Sequence, residues 1–168
     1  MDGHITILGA GESGVGAALL AQARGYRVWV SDAGKVAAKY RLELEGAGID
    51  FEEEGHTESR ALEAELVIKS PGIPEEAPIV RRIREEGIEL ISEIEFASRY
   101  TEAKLIGITG TNGKTTTALF LYHLLKESGF NVALAGNVGD SFARKVLEEK
   151  PDYFVLEISS FQLDDIKD

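Results

Sequence analysis

The sequence predicts an α/β fold: a Rossmann-like parallel sheet followed by the truncated start of a P-loop α/β ATPase unit. Strand-like and helix-like segments alternate along all 168 residues. Two glycine-rich loops each follow an apolar strand and open a helix, and a polar stretch near Tyr100–Lys104 separates them. Alternation of this kind builds βαβ units, with a parallel sheet covered by helices on both faces. The boundary is expected between residues 102 and 103, giving units 1–102 and 103–168.

Each element rests on a local pattern. His4 to Leu8 reads as a buried strand, Gly14 to Arg24 as a helix of small residues, and Tyr26 to Val30 as a second strand. A polar helix from about Lys35 to Glu45 stops at Gly46 or Gly48, and the short strand Leu66 to Lys69 stops at Ser70-Pro71-Gly72. Ala77 to Glu86 is helical, with Ile79, Val80 and Ile83 on one side and arginines opposite. Glu89 to Ile91 is a strand, and Ser92 caps a helix over Glu93 to Arg99. Beyond the boundary come the strands Leu105 to Thr109, Val132 to Ala135 and Tyr153 to Ile158. Between them lie the helices Thr115 to Glu127 and Ser141 to Glu149. The run Glu52-Glu53-Glu54 reads as an exposed strand end or loop.

Composition narrows the function classes. Net charge is −11, from 18 basic and 29 acidic residues. The one small arginine cluster, Arg81, Arg82 and Arg84, is followed at once by Glu85 and Glu86, so no nucleic-acid footprint is predicted. No apolar run reaches the roughly 18 to 20 residues of a membrane span. The N-terminus lacks the basic region of a secretory signal. Without cysteines, disulfides and thiolate metal sites are excluded. These features predict a cytoplasmic protein. His4, His56 and His123 show no ligand spacing and read as surface or packing residues.

The first glycine loop is Gly9-Ala10-Gly11-Glu12-Ser13-Gly14. In a G-x-G-x-x-G fingerprint the first glycine permits the turn, the second admits a phosphate, and the third lets helix and strand pack closely. Asp32 ends the second strand, 21 residues after Gly11. On its own this arrangement favours a nicotinamide or flavin cofactor. The second loop, Gly110-Thr111-Asn112-Gly113-Lys114-Thr115, predicts an ATP site. Lys114 supplies a point charge to the β- and γ-phosphates, Thr115 offers a hydroxyl to Mg²⁺, and amides from Thr111 to Thr116 form an anion nest. The strict Walker pattern wants glycine at position 108, where Ile108 stands, so the loop is a variant with glycines at 107 and 110. A hydride-transfer enzyme has no use for the second loop, whereas an ATP-driven enzyme acting on a nucleotide conjugate uses both.

The segment Gly107-Ile108-Thr109-Gly110-Thr111-Asn112-Gly113-Lys114-Thr115-Thr116-Thr117 resembles the ATP loop of the Mur ligases of peptidoglycan assembly. Leu8 to Gly14, Ser70-Pro71-Gly72, Gly136-Asn137-Val138-Gly139 and Glu157-Ile158-Ser159-Ser160-Phe161-Gln162-Leu163 narrow it. They resemble the branch that adds D-glutamate to UDP-N-acetylmuramoyl-L-alanine. The resemblance implies ATP and Mg²⁺ as cofactors, and an acyl phosphate that the D-glutamate amine attacks. It implies catalytic roles for Lys114 and Glu157, ATP binding by Thr111, Asn112, Gly113, Lys114, Thr115, Thr116 and Thr117, and Mg²⁺ ligation by Thr115 and Glu157. For the UDP-muramoyl substrate it implies Gly11, Glu12, Ser13, Gly14, Asp32, Ser70, Pro71, Gly72, Asn137, Ser159 and Gln162. On the residues alone, Asn137 also reads as a turn residue, Ser70-Pro71-Gly72 as a strand-ending turn, and Gln162 as a local cap.

The resemblance further implies that the glutamate-binding domain and a histidine and carbamylated lysine holding a second Mg²⁺ lie beyond Asp168. The 168 residues are therefore expected to bind uridine nucleotide without ligating. A three-strand second sheet leaves an open edge and the apolar face of Leu119, Phe120, Leu124 and Leu125, which predicts disorder, dimerisation or strand exchange. The competing readings are an NAD-dependent Rossmann oxidoreductase and a non-catalytic nucleotide-binding module.

Overall fold

The structure, a computed structural model, describes residues 3–160 and Gln162. The first sheet is built from β1 (His4–Leu8), β2 (Arg27–Ser31), β3 (Asp50–Glu52), β4 (Leu66–Lys69) and β5 (Glu89–Ser92), all parallel in the order β3-β2-β1-β4-β5. Its helices are α1 (Glu12–Ala23), α2 (Ala38–Ala47), α3 (Glu58–Ala61), α4 (Pro78–Glu85) and α5 (Glu93–Ser98). The chain winds outward from β1 on one side, then returns to place β4 on the other. That reversal opens a crevice at the carboxyl ends of β1 and β4, where ligands of doubly wound sheets sit.

β1 is covered on both faces, and Ile5, Thr6, Ile7 and Leu8 are all buried, as parallel central strands require. α1 buries Gly14, Val15, Gly16, Ala17, Ala18, Leu20 and Ala21, because it is covered on more than one side. α4 instead faces the core with Ile79, Val80 and Ile83 and ties Arg82 to Glu58, Glu85 and Glu86. Ser92 caps α5 by accepting the Glu95 amide at 3.1 Å.

In this half α3 has no counterpart in the sequence-based expectation, and β3 has one only in the strand end allowed at Glu52. β3 is a three-residue edge strand of two acids and a phenylalanine, and side-chain bonds fix it in place. Glu52 accepts the Ser31 hydroxyl at 2.6 Å and both Thr57 donors, while Glu53 accepts Arg41 and the Val36 amide. Of the three glutamates only Glu54 is exposed, and it sits at φ 63°.

The second sheet holds β6 (Lys104–Ile108), β7 (Val132–Gly136) and β8 (Tyr153–Glu157), parallel in the order β6-β8-β7, with helices α6 (Lys114–Glu127) and α7 (Phe142–Glu148). The central strand β8 buries Phe154, Val155 and Leu156. α6 leaves Leu119, Phe120 and Leu124 exposed, Phe120 at 67%. Among the described residues no helix is long and apolar enough to cross a membrane.

α7 joins the two sheets. Phe142, Ala143 and Val146 share one core with Val15, Ala18 and Phe96, and Phe142 meets Phe154 edge-on with ring centroids 5.0 Å apart. Gly16 permits the approach, since a methyl there would lie 2.0 Å from Ser141 Oγ. Arg144 reaches from α7 to Glu12 (2.9 Å) and Glu43 (2.8 Å). Burial pushes against the Glu12 charge, but the Arg144 bonds and the Ser141 amide hold its pKa below the usual value.

Glu93 lies at the same junction, 3% exposed, and accepts the Ala143 amide at the start of α7. Desolvation raises its pKa from 4.5 to about 7, against the opposing effect of the amide bonds. Between those values the folded chain keeps a proton that the unfolded chain releases. The stability contributed is complete below about pH 4.5 and is lost as pH rises through about 7. Glu93→Gln removes this dependence. Thermal denaturation is expected to show the variant gaining on the parent from pH 5 to pH 8, by on the order of 3 kcal/mol at most. An equal difference at both pH values would mean that Glu93 titrates normally.

Candidate functional site

Register sets the first cleft. Leu8 is paired with Ser31 on one side and Lys69 on the other, so Gly9, Asp32 and Ser70 leave three adjacent strands at one level. Gly9 has φ 94°, and a methyl on it would lie 2.6 Å from Ser70 Oγ. A methyl on Gly14 would lie 1.8 Å from the Gly9 carbonyl, so the third fingerprint glycine is required for helix and strand to touch. A methyl on Gly11 would meet nothing within 4 Å, leaving the loop open at the position where the fingerprint admits a phosphate.

Asp32 fixes this loop. Its Oδ2 accepts the Ala10 amide and its Oδ1 the Gly34 amide, both at 2.7 Å. Lys69, with its side chain 4% exposed, donates to the Ile73 carbonyl at 3.1 Å and pairs with Glu75, which shapes the Ser70-Pro71-Gly72 turn. Ser70 Oγ is buried and has no hydrogen-bond partner among the described residues. Together Gly9, Asp32, Gly72, Ile73, Pro74 and His56 bound much of a cleft of about 540 Å³. Ser13 lies beside Gly14 in the first turn of α1. The Glu12 carboxylate is directed to Arg144 and the Ser141 amide.

The second site repeats this logic. Ile108 and Gly136 flank Glu157 in register, so the β6–α6 loop and Asn137 converge on the end of β8. Gly110 (φ 145°) and Gly113 (φ 76°) turn the loop into α6. Lys114 Nζ donates to the Gly110 carbonyl at 2.7 Å. A methyl at Gly107 would lie 3.0 Å from Cδ1 at the end of the Ile158 side chain, which would have to give way slightly.

Glu157 is 4% exposed. Thr115 donates to its Oε2 at 2.7 Å, and Asn137 Nδ2 lies 3.5 Å from its Oε1. The Asn137 amide also donates to the Glu157 carbonyl at 2.9 Å. No cationic side chain pairs with Glu157 among the described residues. A buried carboxylate with only neutral partners leaves its charge to a cation. Hydroxyl and carboxylate oxygens suit a hard ion such as Mg²⁺, which binds few protein ligands beside phosphate and water. Thr111, Asn112, Thr116 and Thr117 complete the loop and the first turn of α6.

Asn137 and Glu157 thus meet, as do Thr115 and Glu157. Ser159 and Gln162 bond to each other's backbone: the Ser159 amide donates to Gln162 Oε1 at 3.0 Å and the Gln162 amide to Ser159 Oγ at 3.2 Å. This is a reciprocal capping box, and its S-x-x-Q spacing is visible in the sequence. Phe161 and Leu163 lie outside the described residues. The sequence reading did not foresee Gly16, Glu93 and Arg144 at the junction, or His56 in the cleft wall.

A model of the MurD N-terminal domain matches residues 4–79, and one of the Mur ligase middle domain matches residues 108–168. A Bacteroides fragilis protein named UDP-N-acetylmuramoylalanine--D-glutamate ligase is 57% identical over 163 residues, which are 97% of this chain and 37% of that protein. A Porphyromonas gingivalis protein of the same name is 58% identical over 164 residues, 98% of this chain and 36% of that one. The chain therefore spans a little over a third of the length of the curated relatives it matches. Among solved structures, a UDP-N-acetylmuramate:L-alanyl-gamma-D-glutamyl-meso-diaminopimelate ligase from Neisseria meningitides aligns with TM-score 0.62 and 27% identity, over 94% of this chain and 52% of that one. With both clefts carrying the residues those matches span, the chain belongs to the Mur ligase family.

Proposed function

We propose that the two clefts serve one ATP-dependent amide-forming reaction, in which D-glutamate is joined to UDP-N-acetylmuramoyl-L-alanine through an acyl phosphate. The observation that carries this reading is the segment Asn137–Ser141. One end touches the Glu157 carboxylate and the other touches Glu12 at the start of α1. A single five-residue turn therefore spans from the ATP-type loop to the uridine-type loop. Residues 1–102 would form the substrate domain and 103–168 part of the ATP domain.

In this reading Gly11, Ser13 and Gly14 receive the diphosphate at the N-terminus of α1. Asp32 holds the loop that faces the nucleoside, and Ser70, Pro71 and Gly72 line its pocket. Asn137, Ser159 and Gln162 border the bridging part of the substrate, the last two by shaping backbone. Thr111 to Thr117 cradle the ATP phosphates, and Lys114 leaves the Gly110 carbonyl to place its charge on the γ-phosphoryl group. Thr115 and Glu157 would hold Mg²⁺, which offsets phosphate charge during transfer. Orientation by the loop backbone and charge placement by Lys114 and the cation would then account for most of the catalysis. Because ATP and a UDP-linked precursor are cytosolic metabolites, the reaction is assigned to the cytoplasm.

Three measurements bear on this reading. Calorimetry is expected to find UDP binding at millimolar concentration or below and no competing NADH binding; the reverse preference would favour an oxidoreductase. Asp32→Asn sets an amide donor against a backbone donor and should weaken UDP about tenfold, the scale of one bond to a charged group. Lys114→Ala is expected to reduce Mg²⁺-ATP binding at least tenfold while leaving UDP affinity unchanged, and a joint loss of both would indicate misfolding. For the 168-residue chain we also propose self-association through the exposed face of α6 and the open β6 edge. Light scattering should show mass rising with concentration, and a monomer at every concentration would refute it.

A further inference from the structure

Glu12 puts a negative charge at the very start of α1, the end of a helix that attracts anions. Gly11, the N-cap, offers no side chain to the first-turn amides, and a methyl on it would meet nothing within 4 Å. A carboxylate turned towards those amides would take the place assigned above to a diphosphate. Even from nearby it would repel one.

The side chain is turned elsewhere. Its Oε1 accepts Arg144 Nε at 2.9 Å and the Ser141 amide at 3.2 Å, both from the second unit. Arg144 Nη1 donates to Glu43 on α2 at 2.8 Å, and Nη2 is buried with no partner among the described residues. The arginine side chain is only 15% exposed, so salt screens this pairing little. Burial works against both charges, yet the bond between them prevails, holding Glu12 below and Arg144 above their ordinary pKa values. Lys39 also faces both acids, but it is exposed, with its ammonium over the Tyr40 ring at 4.2 Å. Arg144 is therefore the cation that holds Glu12.

We propose that Arg144 is a positioning residue for the first cleft: it draws the Glu12 carboxylate aside and offsets its charge, leaving the start of α1 free for a diphosphate. The proposal rests on the uridine-nucleotide reading of that cleft. Arg144 acts through Glu12 and not on the ligand. Because it belongs to the second unit, the first cleft is ready for an anion only while α7 is packed on α1.

The test titrates the 168-residue chain with UDP and with uridine by NMR, with circular dichroism confirming the fold. Uridine shares the base and ribose of UDP but lacks its phosphates. In Arg144→Met the affinity for UDP should fall about tenfold at low salt, while that for uridine holds. The gap between variant and parent should narrow as sodium chloride is raised, because a freed carboxylate is open to screening. Adding Glu12→Gln to Arg144→Met should restore UDP affinity, and Arg144→Lys should retain most of it. Equal losses for UDP and uridine, a gap independent of salt, or rescue by Glu43→Gln alone would overturn the proposal. If UDP binds the parent and Arg144→Met alike, the role of Arg144 falls and the uridine reading stands. If the folded parent binds neither ligand, the uridine reading falls and the proposal with it. Should Arg144→Met fail to fold, Arg144→Gln takes its place, since it keeps a donor for the acids and loses the charge.

Discussion

The contact between α1 and α7 is the constraint on which the rest of the molecule depends. At Gly16 the two helices are too close for even one methyl group. The same two helices are tied by Arg144 to Glu12 and by the Ser141 amide to Glu12. Because α1 begins at the first glycine loop and α7 follows the turn that touches Glu157, fixing the helices fixes that loop relative to the end of β8. Packing this tight admits discrete arrangements and not a continuum of them. A change of one methylene at the junction would therefore be felt at both clefts.

The two clefts manage charge in opposite ways. In the first, Asp32 is satisfied by backbone amides, so its charge serves to shape the loop. In the second, Glu157 has a hydroxyl and a distant amide for company, and its charge remains available. On the proposed function, the net charge of −11 is no obstacle to polyphosphate, because the anion would meet local amides and one lysine.

Much of this was legible in the sequence. β1, β4 and β8 are short apolar runs ending at glycine, serine or glutamate, and such runs read as buried parallel strands. Ser92 reads as the cap of the helix that starts at Glu93, and its hydroxyl accepts the Glu95 amide. The pairing of Thr115 with Glu157 followed once both loops were aligned with a family. The missing parts share a physical cause. β3 is charged and is held by Ser31 and Arg41, which lie 21 and 12 residues away in sequence. The Glu12–Arg144 pair spans 132 residues. No local pattern encodes contacts of that range, and Gly16 reads as an ordinary helical small residue until α7 is seen against it. The contacts of Glu52 and His56 with Ser31 are likewise invisible until the turn folds back on β2.

The bond from Lys114 to the Gly110 carbonyl gives the second loop a resting state of its own. On the proposed function, a phosphate arriving there would draw the cation away from that carbonyl and so exchange one partner for another. Net affinity is then the difference between two charge-assisted contacts, not the value of one. A small, weakly charged anion such as chloride gains little from that exchange, while a triphosphate that engages several amides at once gains much. On that reading the lysine would act as a threshold, favouring an anion that can engage several amides over the simple salts around it.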